Sequence, residues 1–101
     1  MIVRSWRGKA SVAKADAYPD HFRKNVLPEL RSVAGFVGAS LLKQQTAAGI
    51  EYLVLTRWAS MEAIQGFAGP DTARAVVEPE AIAALVDYDR TVQHYDVVED
   101  V

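Results

Sequence analysis

The sequence predicts an α+β fold whose elements follow one another in the order strand, helix, strand, strand, helix, strand. Two stretches with apolar residues at three- and four-residue spacing are typical of helices, and each lies between segments that suit a pleated strand. A short link with a glycine joins the two central strand segments, which favours an antiparallel hairpin. Both central segments also carry apolar residues on both faces, which bears on how the sheet is covered.

The first third of the chain supplies one strand and one long helix. Residues 2–7 are rich in residue types that suit a strand. Ser11 is a candidate N-cap for the helix that follows, and Gly35 ends it. One face of this helix carries Tyr18, Phe22, Val26, Leu30 and Val33. Because Pro19 and Pro28 each remove a backbone donor, we expect the helix to be kinked or broken near one of them.

The middle of the chain contains the hairpin and the start of a second helical region. Residues 36–44 and 51–58 are the two strands, and the link Thr46–Gly49 joins them. Ser60 is a candidate N-cap for the next helix, because a hydroxyl there can accept from a free backbone amide. That helix ends at Gly69.

The last third of the chain completes the pattern. We expect a short helical turn over residues 73–77, a helix from Pro79 to about Asp89, and a strand over residues 91–98. The complete order is the split βαβ arrangement of ferredoxin-like folds, with a four-stranded antiparallel sheet. It occupies residues 1–101 as a single domain.

The two apolar faces of the central strands predict a homodimer. On the third strand Leu53 and Leu55 alternate with Tyr52, Val54, Thr56 and Trp58, and the second strand shows the same two-sided pattern. Two helices cover only one face of a four-stranded sheet, and a second copy is the simplest cover for the other. The alternative is that these apolar residues are singly exposed and have no role.

Composition and charge exclude several classes of function. The net charge is −2, and the eleven Lys and Arg residues form no run, so the sequence does not predict binding to nucleic acid or to a membrane surface. No cysteine is present, which excludes disulfides, thiolate catalysis and iron–sulfur clusters. Arg4 and Arg7 interrupt any signal-peptide pattern, and no apolar run reaches the roughly 18–20 residues of a membrane span. We therefore expect a cytoplasmic protein.

The two histidines are the candidate proton-transfer groups. His94 lies two residues before Asp96, so both side chains share one strand face and the carboxylate can orient the imidazole. The alternative is a hydrogen-bonded histidine at a strand edge. His21 borders the apolar face of the first helix and either lines a pocket or is solvated. Since the two histidines are far apart in sequence, we predict no metal site.

Aromatic residues are numerous for so small a chain. They include Trp6, Tyr18, Phe22, Phe36, Trp58, Phe67, Tyr88 and Tyr95. A flat apolar pocket between helices and sheet, with Arg4, Arg57 and His94 among its polar members, would suit an aromatic ligand. Arg57 has the alternative of a salt bridge at a strand end.

Several segments together resemble the antibiotic biosynthesis monooxygenase (ABM) domain family, of the dimeric α+β barrel superfamily. They are Thr56–Ile64, Phe67–Gly69, Ala75–Val77 and His94–Val97, together with the stretch from Tyr18 through Leu27-Pro28-Glu29-Leu30 to Gly35-Phe36. The resemblance covers nearly the whole chain, and its motifs mostly carry the fold. It implies a barrel formed by two ferredoxin-like subunits.

The resemblance also implies a class of chemistry. Some members of the family are oxygenases that oxidise polycyclic phenolic substrates to quinones with molecular oxygen and need neither metal nor flavin. The deprotonated substrate reduces oxygen itself, and the protein holds it in a dry aromatic pocket. On that resemblance the pocket walls would be Trp6, Tyr18, Phe22, Trp58 and Phe67. His94 or Arg57 would assist deprotonation or stabilise the anion, and no cofactor is expected.

Two alternatives accompany this hypothesis. Related barrels degrade haem, using an Asn on the first strand, a Trp in the second helix and a later His. Here the first strand has no Asn, Phe67 occupies the Trp-like position, and Val77 lies about where the His would be, so haem degradation is not expected. The remaining alternative is a non-catalytic dimeric barrel that binds a small molecule or acts in a stress response.

Overall fold

Five strands and four α-helices make up the chain, and a computed structural model describes residues 1–101. The strands are β1 (Ile2–Ala10), β2 (Phe36–Thr46), β3 (Gly49–Trp58), β4 (Asp87–Tyr88) and β5 (Gln93–Asp96). The helices are α1 (Ala17–His21), α2 (Leu27–Arg31), α3 (Met61–Ala68) and α4 (Pro79–Ala84). A short 3₁₀ turn, Val12–Lys14, follows β1, and a π-helical turn, Phe22–Val26, joins α1 to α2. No helix is long and apolar enough to cross a lipid bilayer.

The strands form one antiparallel sheet, which confirms the predicted α+β ferredoxin-like fold. β2 pairs with β3, and β3 pairs with β1. The free edge of β1 is shared, because β4 pairs with Gly8 and Lys9 whereas β5 pairs with residues 2–5. The sheet therefore has five strands rather than the predicted four. Between β4 and β5 the chain leaves this edge, and Thr91 pairs with Arg74 instead.

Two helical predictions in the last third were wrong, and backbone pairing explains both. Residues 73–77 form no helical turn, because the amides of Ala75 and Val92 donate across to the carbonyls of Arg90 and Ala73. The predicted helix to Asp89 ends at Ala84, since the amides of Val86 and Asp89 donate to carbonyls at the free edge of β1. The apolar residues there have helical spacing, but the backbone pairs with other segments instead of forming a helix.

The break predicted in the first helix is confirmed and takes the form of the π-helical turn. Pro28 has no amide to donate, and the amide of Leu27 bonds to the carbonyl of Phe22, five residues back. The Ser11 side chain makes no cap hydrogen bond, whereas the Ser60 hydroxyl accepts from the amide of Ala63 at 3.2 Å, as predicted.

β3 divides its residues strictly between the two faces of the sheet. Every second residue is buried against the helices, namely Ile50, Tyr52, Val54, Thr56 and Trp58. The opposite face, here called the open face, carries Val3, Leu42, Leu53, Leu55 and Tyr95 by strand alternation and register. No element of the chain covers it, and Leu42 and Tyr95 are 45% and 58% exposed. The helix face therefore holds the core, and the open face is an apolar surface.

Two glycine substitutions test the packing of α3 against the start of β2. Gly35 has φ +88°, and a Cβ there would overlap the Cβ of Ala63. We expect Gly35→Ala to lower the free energy of unfolding by more than the 1–2 kcal/mol typical of a left-handed residue. Gly66 lies inside α3 with its nearest neighbour atom, in Val33, at 3.8 Å from a built Cβ, so Gly66→Ala should raise stability by about 0.5–1 kcal/mol. Urea unfolding followed by circular dichroism measures the free energy of unfolding of each variant. Equal changes in the two variants would contradict this packing.

Candidate functional site

A pocket lies between the helices and the helix face of the sheet. It holds about 590 Å³ of empty space including its open mouth, of which about 60 Å³ admits the centre of a water molecule. Ten of its fourteen lining residues are hydrophobic. Its walls include Arg4, Trp6, Tyr18, His21, Val54, Phe67, Val77 and Glu78. An apolar cleft with a few converging polar groups is the usual form of a small-molecule site.

Arg4 is the buried cation of this pocket, and three of its five N–H groups meet neutral acceptors. The residue is 5% exposed, and it donates to the carbonyls of Thr72 at 2.6 Å and Arg74 at 2.9 Å. Its guanidinium carbon also lies 5.9 Å from the centre of the Phe67 ring. Burial lowers the pKa of Arg4 to about 10, so the group stays charged at neutral pH.

No carboxylate neutralises this guanidinium. The two ion pairs of the chain are Arg7–Glu51 and Arg23–Asp20, and both lie elsewhere. An unpaired charge away from water is costly, and an anion beside it recovers part of that cost. The Arg4 end of the pocket is therefore suited to an anionic group of a ligand.

His94 is part of the support of Arg4. Its Nε2 lies 3.0 Å from Nη1 of Arg4, and because a guanidinium only donates, this nitrogen must accept. His94 is then neutral, with its proton on Nδ1. Burial lowers the pKa of His94, and the positive charge of Arg4 lowers it further. His94 and Asp96 share a strand face as predicted, yet the imidazole bonds to Arg4 rather than to the carboxylate.

A second polar group of the pocket surrounds His21. The residue is 6% exposed, its Nδ1 lies 3.0 Å from Nδ2 of Asn25, and its Nε2 is buried without a hydrogen-bond partner. Donor atoms of His21, Glu78 and Glu80 all lie within 4.8 Å of one another. Burial raises the pKa of Glu78, and a hydrogen bond and negative charge from Glu29 raise it further.

Tyr18 lies against this group and stays protonated. Burial raises the pKa of its hydroxyl, and the nearby Glu78 charge adds to the shift. The centre of its ring lies 5.6 Å from the ring centres of both Trp6 and Tyr52, with the rings tilted by 39°. It is therefore an aromatic wall of the pocket rather than a base.

The structure brings together only part of the predicted site. Trp6, Tyr18 and Phe67 line the pocket. Phe22 and Trp58 are in the core instead; Trp58 is 0% exposed and donates to the hydroxyl of Thr56 at 2.8 Å.

The two predicted catalytic residues lie on different faces of the sheet. His94 reaches the pocket through Arg4, on the helix face. Arg57 lies on the open face, where it donates to the hydroxyl of Ser40 at 3.2 Å.

Sequence reasoning left three polar residues out of the predicted site. Arg4 was considered only as one of several possible polar members, although its alternation with Ile2 and Trp6 places it on the helix face of β1. His21 was left open between pocket and solvent. Glu78 had no signal, because only tertiary packing brings the start of α4 close to His21 at the end of α1.

Comparison with protein families identifies the chain. The family model described as antibiotic biosynthesis monooxygenase matches residues 1–79. The chain belongs to this ABM family. A comparison with curated proteins finds no match.

Solved structures of similar proteins agree with the ABM fold. The cofactor-independent oxygenase SnoaB from Streptomyces nogalater is 16% identical, with a TM-score of 0.66 over 99% of this chain and 95% of that one. The haem degrader MhuD from Mycobacterium tuberculosis, solved with two haems in its active site, is 22% identical, with a TM-score of 0.60 over 100% and 99%. A candidate monooxygenase from Caulobacter crescentus is 22% identical, with a TM-score of 0.71 over 97% and 90%. At these identities the likeness shows the fold.

The contact between Arg4 and His94 predicts how His94 titrates. In wild type its pKa should lie below the ordinary value of 6.5, so stability falls as the pH drops below that value and the unfolded chain takes up the proton. Arg4→Met removes the nearby positive charge and should raise the pKa of His94, though not fully, because burial remains. NMR titration measures it, with the signal assigned by its loss in His94→Ala. Arg7→Met is the matched control, and an unchanged His94 pKa in Arg4→Met would contradict the contact.

Proposed function

We propose that this chain is an oxygenase that needs no metal or flavin and oxidises a small phenolic aromatic compound with molecular oxygen. The observation that carries the proposal is the buried guanidinium of Arg4, which has no carboxylate partner and faces a pocket with aromatic walls. Family membership supports the general class of reaction. The existence of a cofactor-independent oxygenase of the same fold, SnoaB, supports the absence of a cofactor.

Arg4 would hold the oxygen of the substrate. A phenolic oxygen beside the guanidinium ionises more readily, because charge-assisted hydrogen bonds stabilise the anion. The ring lies between Trp6, Tyr18 and Phe67, which provide flat apolar surface. The proton leaves through the open mouth of the pocket. His94 acts as a positioning residue, since its lone pair is held by Arg4 and is not free to take that proton.

The electrons for the reaction come from the substrate. The ionised ring transfers electrons to oxygen, a new carbon–oxygen bond forms at a ring carbon, and the second oxygen atom leaves as water. A phenol and one oxygen molecule thus give a quinone and one water, with all four electrons supplied by the ring. The protein contributes the fixed positive charge, the orientation of the ring and the exclusion of bulk water.

The size of the pocket favours a small substrate. A cavity of about 150 Å³ holds one benzene ring. The inner space of about 60 Å³ is smaller than this, so even a single-ring phenol must extend toward the open mouth, and a polycyclic one requires the walls to open much further. We therefore place single-ring phenols and quinols ahead of polycyclic substrates.

A non-catalytic binding or stress-response protein is the second candidate. The observation that favours it is the engagement of His94 by Arg4, which leaves this end of the pocket without a free base. The same pocket would then bind a phenolic anion without turnover.

Haem degradation receives no support from the pocket. Val77 lines the wall where related haem-degrading barrels are expected to place an imidazole, and Phe67 stands in the Trp-like position. A valine side chain has no atom that can ligate iron.

The open face supports the proposed homodimer. It presents apolar residues of β1, β2 and β3, among them Val3, Leu42, Leu53 and Leu55, which no element of the same chain covers. Covering it with a second sheet would bury several leucines, each contributing about 1.5–3 kcal/mol. A cytoplasmic location remains a prediction from the sequence.

Oxygen uptake tests the proposed oxidation. Protein treated with EDTA should consume oxygen with members of a panel of quinol- and anthrone-like compounds. Arg4→Met should lower kcat/KM by about 100-fold or more, as the loss of one anion-stabilising donor does in other enzymes. Arg31→Met removes an exposed arginine of α2 and is the matched control. Binding without uptake would favour the second candidate, and unchanged uptake in Arg4→Met would contradict the role of Arg4.

Light scattering tests the proposed dimer. Wild type should have a molar mass twice the chain mass of 11.1 kDa. Leu53→Lys, which places a charge in the middle of the open face, should have the mass of the monomer. Ile82→Lys adds the same charge at an exposed position of α4 and should leave the dimer intact. A wild-type protein that is monomeric at micromolar concentration would contradict the proposal.

A further inference from the structure

We propose that His21, Glu78 and Glu80 form a binding site for one divalent transition-metal ion at the wall of the pocket. The proposal does not depend on the proposed oxidation. It rests on the mutual distances of these side chains, on the unpartnered ring nitrogen of His21, and on the absence of any cation that neutralises the carboxylates.

The fold brings the three donors together from distant parts of the sequence. His21 is the last residue of α1, Glu78 is the N-cap residue of α4, and Glu80 lies in the first turn of that helix. Their donor atoms lie within 4.8 Å of one another. Donors that bind an ion at 2.0–2.2 Å stand roughly 3–4 Å apart. Small side-chain rotations of the partly exposed Glu78 and the exposed Glu80 bring their oxygens into that range.

The ring nitrogen of His21 is the observation that points to a ligand. His21 is 6% exposed, and its Nε2 is buried with no hydrogen-bond partner. Buried polar atoms are almost always satisfied, so an orphan of this kind calls for an occupant. The imidazole of His21 lies beside the carboxylates of Glu78 and Glu80, and an ion bound by these oxygens and by Nε2 would satisfy all three side chains at once.

The surroundings carry an excess of negative charge. Glu29 brings a third carboxyl group close to Glu78, and its charge contributes to the raised pKa of that residue. Neither ion pair of the chain includes any of these glutamates. A divalent cation would compensate two of the negative charges, which the imidazole alone does not.

Asn25 supplies the outer contact that such a site requires. Its Nδ2 lies 3.0 Å from Nδ1 of His21. A half-turn of this exposed amide presents the oxygen instead, which accepts from Nδ1–H and leaves the lone pair on Nε2. Metal-ligating histidines commonly donate their other ring nitrogen to an oxygen in this way.

The donor set indicates which ions fit. One imidazole nitrogen with two carboxylates suits manganese, ferrous iron or zinc better than calcium, which prefers an all-oxygen set. Because His21 and Glu78 both line the pocket, the ion would stand in its wall, with coordination positions left for water or for an oxygen of a ligand. It would also link α1 to the start of α4.

Calorimetric titration of the EDTA-treated full chain with MnCl₂ and ZnCl₂ tests the site. We expect one equivalent per chain, and His21→Ala should weaken binding at least about 100-fold. Asn25→Leu should weaken it about 10- to 100-fold, as other outer contacts do. Glu80→Gln keeps the test decisive even if His21→Ala does not fold, because it changes an exposed side chain. This variant should weaken metal binding by at least about tenfold.

Matched controls separate a built site from surface binding. His94→Ala removes the other histidine and Glu62→Gln an exposed carboxylate of α3, and both should bind as wild type does. The site would be overturned if Glu80→Gln bound the metal as tightly as wild type does. It would also be overturned if wild type bound neither ion below millimolar concentration. A third outcome would also overturn the assignment. If wild type binds no metal, and EDTA-treated His21→Ala loses the oxygen uptake that EDTA-treated wild type shows, His21 is a proton-transfer group instead. Metal binding without oxygen uptake would overturn only the proposed oxidation.

Discussion

The burial of one charge, on Arg4, organises this structure. Its guanidinium joins three segments, because it extends from β1, donates to carbonyls at residues 72 and 74, and is met by the imidazole of His94 on β5. Three of its N–H groups meet neutral acceptors, which hold the side chain in place but do not compensate its charge. The segment fixed in this way continues through residues 76–78, which form one wall of the pocket. The position of the pocket wall and its affinity for an anion therefore have the same origin.

The alternation of residues along β3 assigns the ligand site and the apolar surface to opposite faces of the sheet, a division that the sequence did not reveal. Thr56 and Trp58 face the helices and belong to the core beneath the pocket, whereas Leu53, Leu55 and Arg57 face away. A single strand thus provides the floor of a ligand site and the centre of an apolar surface. A residue on one face cannot serve the other, which is why Arg57 has no path to a ligand held by Arg4.

The sequence was sufficient for the fold because local signals and global order agreed. The hairpin link, the Ser60 cap and the proline-broken first helix are each set by nearby residues, and each was predicted. The end of the chain was not, since residues 73–75 bond to residues 90–92 and residues 86–89 bond to β1, and both segments lose their helical pattern to that pairing. Propensity is a weak guide wherever a free sheet edge offers backbone partners.

The candidate site was predictable only in part, for a related reason. Aromatic residues on periodic faces, such as Tyr18 and Phe67, could be placed against a pocket from the sequence. Phe22 and Trp58 share the same chemistry, and only packing decides that they are core. The contact between His21 and Glu78 joins two positions that no local pattern relates, so no spacing could have indicated it.

The central claim is that the pocket stabilises an anion at Arg4, and the ionisation of a bound reporter phenol measures this directly. A nitrophenol absorbs differently in its ionised form, so a spectrophotometric titration gives its pKa when bound to the protein. An apolar pocket alone would raise that pKa, because burial disfavours the charged form, whereas an uncompensated guanidinium lowers it. We predict a pKa below that of the free phenol in wild type and above it in Arg4→Met. A bound phenol whose pKa is raised in wild type would contradict the account.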